Sequence, residues 1–143
     1  MNDLHNNMRS VIAIAPVAVG TTGTGQTGKV IDRAGYGGVE FVIGYGSITA
    51  TAATFTCTIK EGDATGSLTS VADSHLLGTE ALAGVDAAAT RTSGTSKNVS
   101  KRIGYRGSKR YVQCNIKSTA TAGTLVSAQA ILHNQEVAPT ANP

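Results

Sequence analysis

Period-two alternation of apolar and polar side chains, filled with β-branched residues, recurs along this chain and leaves few architectures open. Thr54-Phe55-Thr56-Cys57-Thr58-Ile59-Lys60 places Phe55, Cys57 and Ile59 on one face and threonines on the other. That is the pattern of a half-buried antiparallel strand. Residues 111–117 repeat it with Val112, Cys114 and Ile116 inward, and Val39, Phe41 and Ile43 mark a third such face. Residues 125–132 form a longer apolar run suited to a central strand, and residues 10–14, 28–32, 84–88 and 99–104 are weaker strand candidates. Gly- and Thr-rich stretches at 20–28, 44–46, 62–66 and 121–123 read as the turns between them. The chain is therefore expected to be all-β: an antiparallel β-sandwich or jelly-roll-like barrel of about seven to eight strands with flexible termini.

Helix is nearly absent from this reading. Residues 70–77, with Ser70 as a cap and Val71, Leu76 and Leu77 apolar, are expected to make two helical turns before Gly78. Residues 10–133 form one domain, with an N-terminal arm at 1–9 and a polar tail at 134–143 that carries Pro139 and Pro143. The run over residues 8–20 loosely resembles a signal peptide, but Asp3 precedes it and Pro16 interrupts it, so it is read as a first strand. No apolar run reaches the roughly 18 residues of a membrane-spanning helix. Cys57 and Cys114 fall on the apolar phase of their strands, as small buried thiols rather than a disulfide or a metal pair.

Composition matters for what such a domain can do. Hydrophobic residues make up 41% of the chain but aromatic ones only 4%, with no Trp. The core is therefore expected to be thin and to draw on neighbouring subunits. Charged residues reach 15%, below the roughly 25% of average soluble domains. So weakly charged a surface suits burial against other protein.

One segment imitates a nucleotide site. Gly23-Thr24-Gly25-Gln26-Thr27-Gly28-Lys29 satisfies the dinucleotide glycine pattern and the start of a phosphate-binding loop. A phosphate loop needs a helix directly after it and a hydroxyl to hold magnesium. Here Val30 stands at the hydroxyl position, and residues 30–38 are a short β-type run broken by glycines. A Gly/Thr hairpin loop is the expectation. His5, His75 and His133 lack partner ligands at useful spacing. Glu61 and Asp63, flanking Gly62 in a turn, have the pattern of a weak cation site but are expected to be solvated turn carboxylates. No serine sits in a nucleophile elbow, and the sequon Asn98-Val99-Ser100 has meaning only in a secretory pathway. The chain is expected to be no enzyme and to hold no cofactor and no metal.

The clear charge feature is Lys97, Lys101, Arg102, Arg106, Lys109 and Arg110, six cations in fourteen residues with no acid among them and with Tyr105 and Tyr111 interleaved. The whole chain carries +3, so without these six charges it would stand at −3. Three uses compete: docking to an acidic protein partner, a solvated strand edge, and nucleic-acid contact, the last the weakest. Gly104 and Gly107 suggest a tight turn presenting Arg106, Lys109 and Arg110 at a hairpin tip, with Lys97, Lys101, Arg102 and Tyr105 in the same docking surface.

Residues 102–113, together with Asp3-Leu4-His5-Asn6-Asn7 and Ile31-Asp32-Arg33-Ala34-Gly35-Tyr36, resemble a group of small virion proteins of tailed bacteriophages. The resemblance spans most of the chain from Asp3 to Leu132 and supplies no active site. It implies a capsid decoration or cement protein, made in the host bacterial cytoplasm and carried in the virion. Its partners would be the major capsid protein and further copies of itself, with trimers favoured, and it would have no membrane contact. A tail or head-tail connector component is the neighbouring alternative. A receptor- or glycan-binding β-sandwich module is a third, disfavoured by the scarcity of aromatic rings for sugar stacking.

Overall fold

The computed structural model describes residues 3–19, 25–48, 53–85, 98–119 and 125–136. The alternating runs form ten strands among them: β1 (Met8–Ala18), β2 (Gln26–Thr27), β3 (Ile31–Asp32), β4 (Tyr36–Tyr45), β5 (Phe55–Ala64), β6 (Ser67–Ser70), β7 (Leu76–Leu77), β8 (Val99–Tyr105), β9 (Tyr111–Ser118) and β10 (Leu125–Gln135). One sheet runs β1-β10-β4-β8-β7 and the other β2-β9-β5-β6, with β3 also on β9. Every pairing between these strands is antiparallel. The two sheets pack as a β-sandwich, as the periodicity predicts.

The core lies between the sheets. Val39, Phe41 and Ile43 of β4 face Phe55, Cys57 and Ile59 of β5 and Val112, Cys114 and Ile116 of β9, all fully buried. Small residues beside large ones let an Ala/Val-rich chain fill this space: Ala130 pairs with Phe41 and Ala128 with Ile43 across β10 and β4. The cysteines are free, with Sγ atoms 3.8 Å apart between β5 and β9. The neighbouring Cys57 thiol, together with burial, holds Cys114 well above the usual thiol range.

Several expected elements differ. Residues 70–77 do not form a helix. After Ser70, which closes β6, Asp73–His75 make a single 3-10 turn, and Leu76–Leu77 join the edge of β8, where Leu76 is buried. The one α-helical turn among the described residues, α1 (Glu80–Ala83), comes later, where the Thr79 hydroxyl accepts from Leu82 N at 3.1 Å. Residues 44–46 are not a turn, because β4 runs through Tyr45 and Gly46 N bonds Leu125 O. The 62–66 turn is shorter than expected, because β5 continues to Ala64 before β6 begins at Ser67. Of the 84–88 candidate, Gly84 caps the α-helical turn and Val85 makes an isolated bridge to Phe55. Residues 86–88, the 121–123 turn and the tail beyond 136 lie outside the described residues. Before β1, His5–Asn7 form a 3-10 turn whose Asn6 carbonyl accepts from the Gln135 side chain.

The 28–32 candidate is a seam that closes one side of the sandwich, and only its last two residues, β3, are strand. Gly28 N bonds Cys114 O of β9, and Lys29 N bonds Ala13 O of β1 at 2.7 Å, so the segment is bonded to both sheets before β3 returns to β9. Beside it β1 shifts register twice, between Ile12 and Val17, with Pro16 in the irregular stretch. A methyl group on Gly28 would stand well inside contact distance of Cys114 O. Gly28→Ala should therefore destabilise the protein by about 2 kcal/mol or more in urea unfolding. Gly66→Ala, with nothing within 4 Å of the added methyl, should shift stability by less than about 0.5 kcal/mol. Equal effects would show that the seam does not constrain the fold.

Candidate functional site

The cationic segment is not a hairpin tip. β8 belongs to one sheet and β9 to the other, so residues 106–110 cross between sheets. Lys97 lies outside the described residues. Lys101 is half-buried on the core-side phase of β8, opposite Ile43, and Arg102 points outward opposite Val42 with Nε 4.0 Å from Glu40 Oε1. Arg106 donates through Nε and Nη2 to Ser74 O at 3.3 and 3.2 Å. Lys109 Nζ sits 2.5 Å from Asp63 Oδ2. Arg110 grips Asp32 with two bonds, Nε to Oδ1 at 2.9 Å and Nη2 to Oδ2 at 2.7 Å, and lies over the Tyr111 ring. The Arg110 guanidinium holds the Asp32 carboxyl below the usual carboxylate range. The crossover cations thus have partners inside the fold.

Tyr105 is not a surface ring. It is 1% exposed, its hydroxyl donates to Glu61 Oε2 across the sandwich, and it accepts from Lys109 N at 3.0 Å. Glu61 is likewise no turn residue: it sits in β5, faces inward, and also meets His75 Nδ1 at 3.4 Å. Arg33 holds this corner from the other side. Its guanidinium stacks over the Tyr105 ring at 5.3 Å and donates to the carbonyls of Tyr36, Gly107 and Lys109. Burial, reinforced by the Glu61 bond, pushes the Tyr105 phenol up to about 12. Asp63 with Lys109 and Glu61 with Tyr105 thus engage both carboxylates that flank Gly62.

The phosphate-loop pattern has a different basis. The element after Lys29 is a strand, β3, rather than a helix. Gly25 has φ +70°, and both it and Gly28 lie against the β9 backbone. Asn115 Oδ1 accepts from Gly28 N, and Gln113 Nε2 donates to Gly28 O. These glycines allow close packing of backbone on backbone; Gly23 and Thr24 lie outside the described residues.

The two outer faces differ in chemistry. On the β1-β10-β4-β8 face a groove of about 350 Å³ is lined by Ile12, Ile14, Pro16, Val42, Gly44, Ser100, Ser127 and Gln129, with no charged residue. Ile12 and Leu125 are more than half exposed. On the opposite face a shallow depression of about 280 Å³ lies among Thr56, Thr58, Lys60, Asn115 and Lys117. Neither Lys60 nor Lys117 makes an ion pair among the described residues. Sequence reasoning singles out neither face, although the outward phase of β5 and β9 carries the threonines and lysines of the second.

No protein-family model matches the chain, and no curated protein matches it in sequence. Among solved structures it is similar to the CBM22-1 and GH10 modules of the N-terminal endo-1,4-beta-D-xylanase 10B of Clostridium thermocellum, complexed with xylohexaose. The TM-score is 0.50 at 10% identity, over 90% of this chain and 26% of that chain. This chain thus spans about a quarter of that structure's length. The xylan-binding module CBM15 aligns with TM-score 0.42 at 14% identity, over 94% of this chain and 95% of that one. The CBM22-1 xylan-binding domain from Paenibacillus barcinonensis aligns with TM-score 0.39 at 11% identity, over 96% and 88%. At such identities the likeness is one of fold.

The neutral Tyr105 phenol contributes stability that is fully present below its unfolded pKa of about 10 and is lost as pH rises through about 12. Alkaline titration of tyrosinate absorbance should show an ionisation near 12 that Tyr105→Phe lacks. At neutral pH the variant should lose roughly 1–3 kcal/mol of unfolding free energy, because Glu61 loses a buried donor. An unchanged titration, or an equally stable variant, would contradict the inter-sheet role.

Proposed function

We propose that this chain is a non-catalytic structural subunit of a tailed-phage virion, a decoration protein seated on the outer surface of the major capsid protein lattice. The observation that carries this reading is the groove on the β1-β10-β4-β8 face. It is neutral, half apolar and set on a five-stranded antiparallel sheet, the surface chemistry of protein packed on protein. The resemblance carried by residues 3–7, 31–36 and 102–113 supports the virion as its setting. Titratable side chains such as Glu61, Asp32 and Asp63 are committed to contacts that hold the fold, which supports a role without chemistry. The paired free thiols suit synthesis in a reducing bacterial cytoplasm. Weak contacts suffice in such a role, because a trimer on a repeating shell multiplies them.

A second reading, a glycan-binding β-sandwich module, is favoured by the fold likeness to xylanase-associated modules. Ring placement speaks against it. Phe41, Phe55, Tyr45 and Tyr105 are buried, Tyr36 is half-buried against the core, and Tyr111 carries the Arg110 guanidinium. No open ring is left among the described residues on which a sugar could stack.

Incorporation into particles separates the two. Purified wild-type protein should bind shells of the cognate phage that lack it. Ile12→Glu, a change at a position 58% exposed, should remain folded within about 0.5 kcal/mol yet fail to bind those shells. Normal incorporation of Ile12→Glu would remove the groove from the docking surface. Retardation of the wild type by soluble xylan in affinity electrophoresis, without shell binding, would favour the glycan reading.

A further inference from the structure

The opposite face, built by β5 and β9, has charge of its own. Register places Thr56 beside Lys117, Thr58 beside Asn115 and Lys60 beside Gln113, and these side chains share the outward phase while Cys57, Ile59, Cys114 and Ile116 fill the core. The carboxylates nearest in sequence are already engaged. Glu61 faces inward to Tyr105, and Asp63 pairs with Lys109. Asn115 and Gln113 serve the Gly28 seam, which leaves the two ammonium groups and the two threonine hydroxyls to meet a ligand. Lys60 and Lys117 sit at rows four residues apart, about 13 Å along the strands. Such spacing is too wide for one small anion and fits charges distributed along an extended chain. A bed of hydroxyls and methyls between two cations supplies donors and a flat floor, without a ring for a base or a sugar to stack on.

We propose that this face binds an extended acidic protein segment, with Lys60 and Lys117 pairing carboxylates at its two ends and Thr56 and Thr58 bonding between them. The inference concerns the sheet opposite the neutral groove and stands apart from the virion reading. Peptide binding reports on this face, whereas shell incorporation of Ile12→Glu reports on the other, so one can fail without the other.

The test is a titration of isotope-labelled full-length protein with an oligoglutamate peptide, followed by amide and lysine side-chain resonances. Shifts should cluster on the outward residues of β5 and β9. Affinity should fall at least tenfold in the double variant Lys60→Gln, Lys117→Gln and stay unchanged in Lys29→Gln, an exposed lysine off this face. It should also weaken steeply as salt approaches about 0.15 M. The double variant should keep the wild-type melting temperature, since both positions lie on the solvent side of their strands. Absence of shifts on β5 and β9, or equal losses in the Lys29 variant, would overturn the proposal. So would binding of polygalacturonate or a single-stranded oligonucleotide in preference to oligoglutamate, which would assign the face to an anionic glycan or to nucleic acid.

Discussion

The structure depends on a hydrogen bond between two residues from different sheets, the Tyr105 hydroxyl of β8 and the Glu61 carboxylate of β5. A carboxylate buried without donors is expensive, so once Glu61 faces inward the corner around it has to be organised. Tyr105 supplies one donor, His75 stands at the other oxygen, and Arg33 covers the far side of the ring while tying down the crossover through the Gly107 and Lys109 carbonyls. At the other end of the sandwich Tyr45 plays a parallel part, its hydroxyl donating to Ala83 O at 2.9 Å and its ring packing edge-on to Phe55. Two tyrosines thus fasten the sandwich at opposite ends. A core short of large side chains is held in register by polar contacts as well as by apolar area.

The strands are legible in the sequence because alternation is local. Phe55, Cys57 and Ile59, or Val112, Cys114 and Ile116, declare their inward face without reference to the rest of the chain. The illegible part depends on partners far away. The apparent hairpin at 104–111 is an inter-sheet crossing, and periodicity says nothing about which sheet a strand joins. The cations there look free in the sequence because their carboxylates are remote, Asp63 lying 46 residues from Lys109 and Asp32 lying 78 from Arg110. One local signal does exist: Ile103 and Tyr105 share a phase, which places the Tyr105 ring inside. Short elements such as β6, β7 and α1 escape for another reason. Each is set by an edge or a cap, and two to four residues carry no period.

The glycine-rich stretch teaches the same lesson about motifs. A phosphate loop and a backbone seam both need residues without a side chain, and only the next element in the chain distinguishes them. Here that element is a strand, and Gly28 is held at the seam between β9 and β1. The corner and the seam are both engaged internally, and the broad faces are what the fold leaves open. One is neutral and grooved, the other cationic and hydroxylated.

The position of β10 bears on how copies of this protein come into being. It lies between β1 and β4, so the last strand described fills the middle of its sheet. A nascent chain ending before residue 125 carries β1 and β4 with a gap between them, and Phe41 and Ile43 lack their Ala130 and Ala128 neighbours. Closure of β1 on β10 over so long a sequence separation is slow and waits for residues 125–133. A chain that stops before β10 therefore leaves this sheet open and its inner face accessible to proteolysis. The β1-β10-β4-β8-β7 sheet is thus completed only by the last strand described.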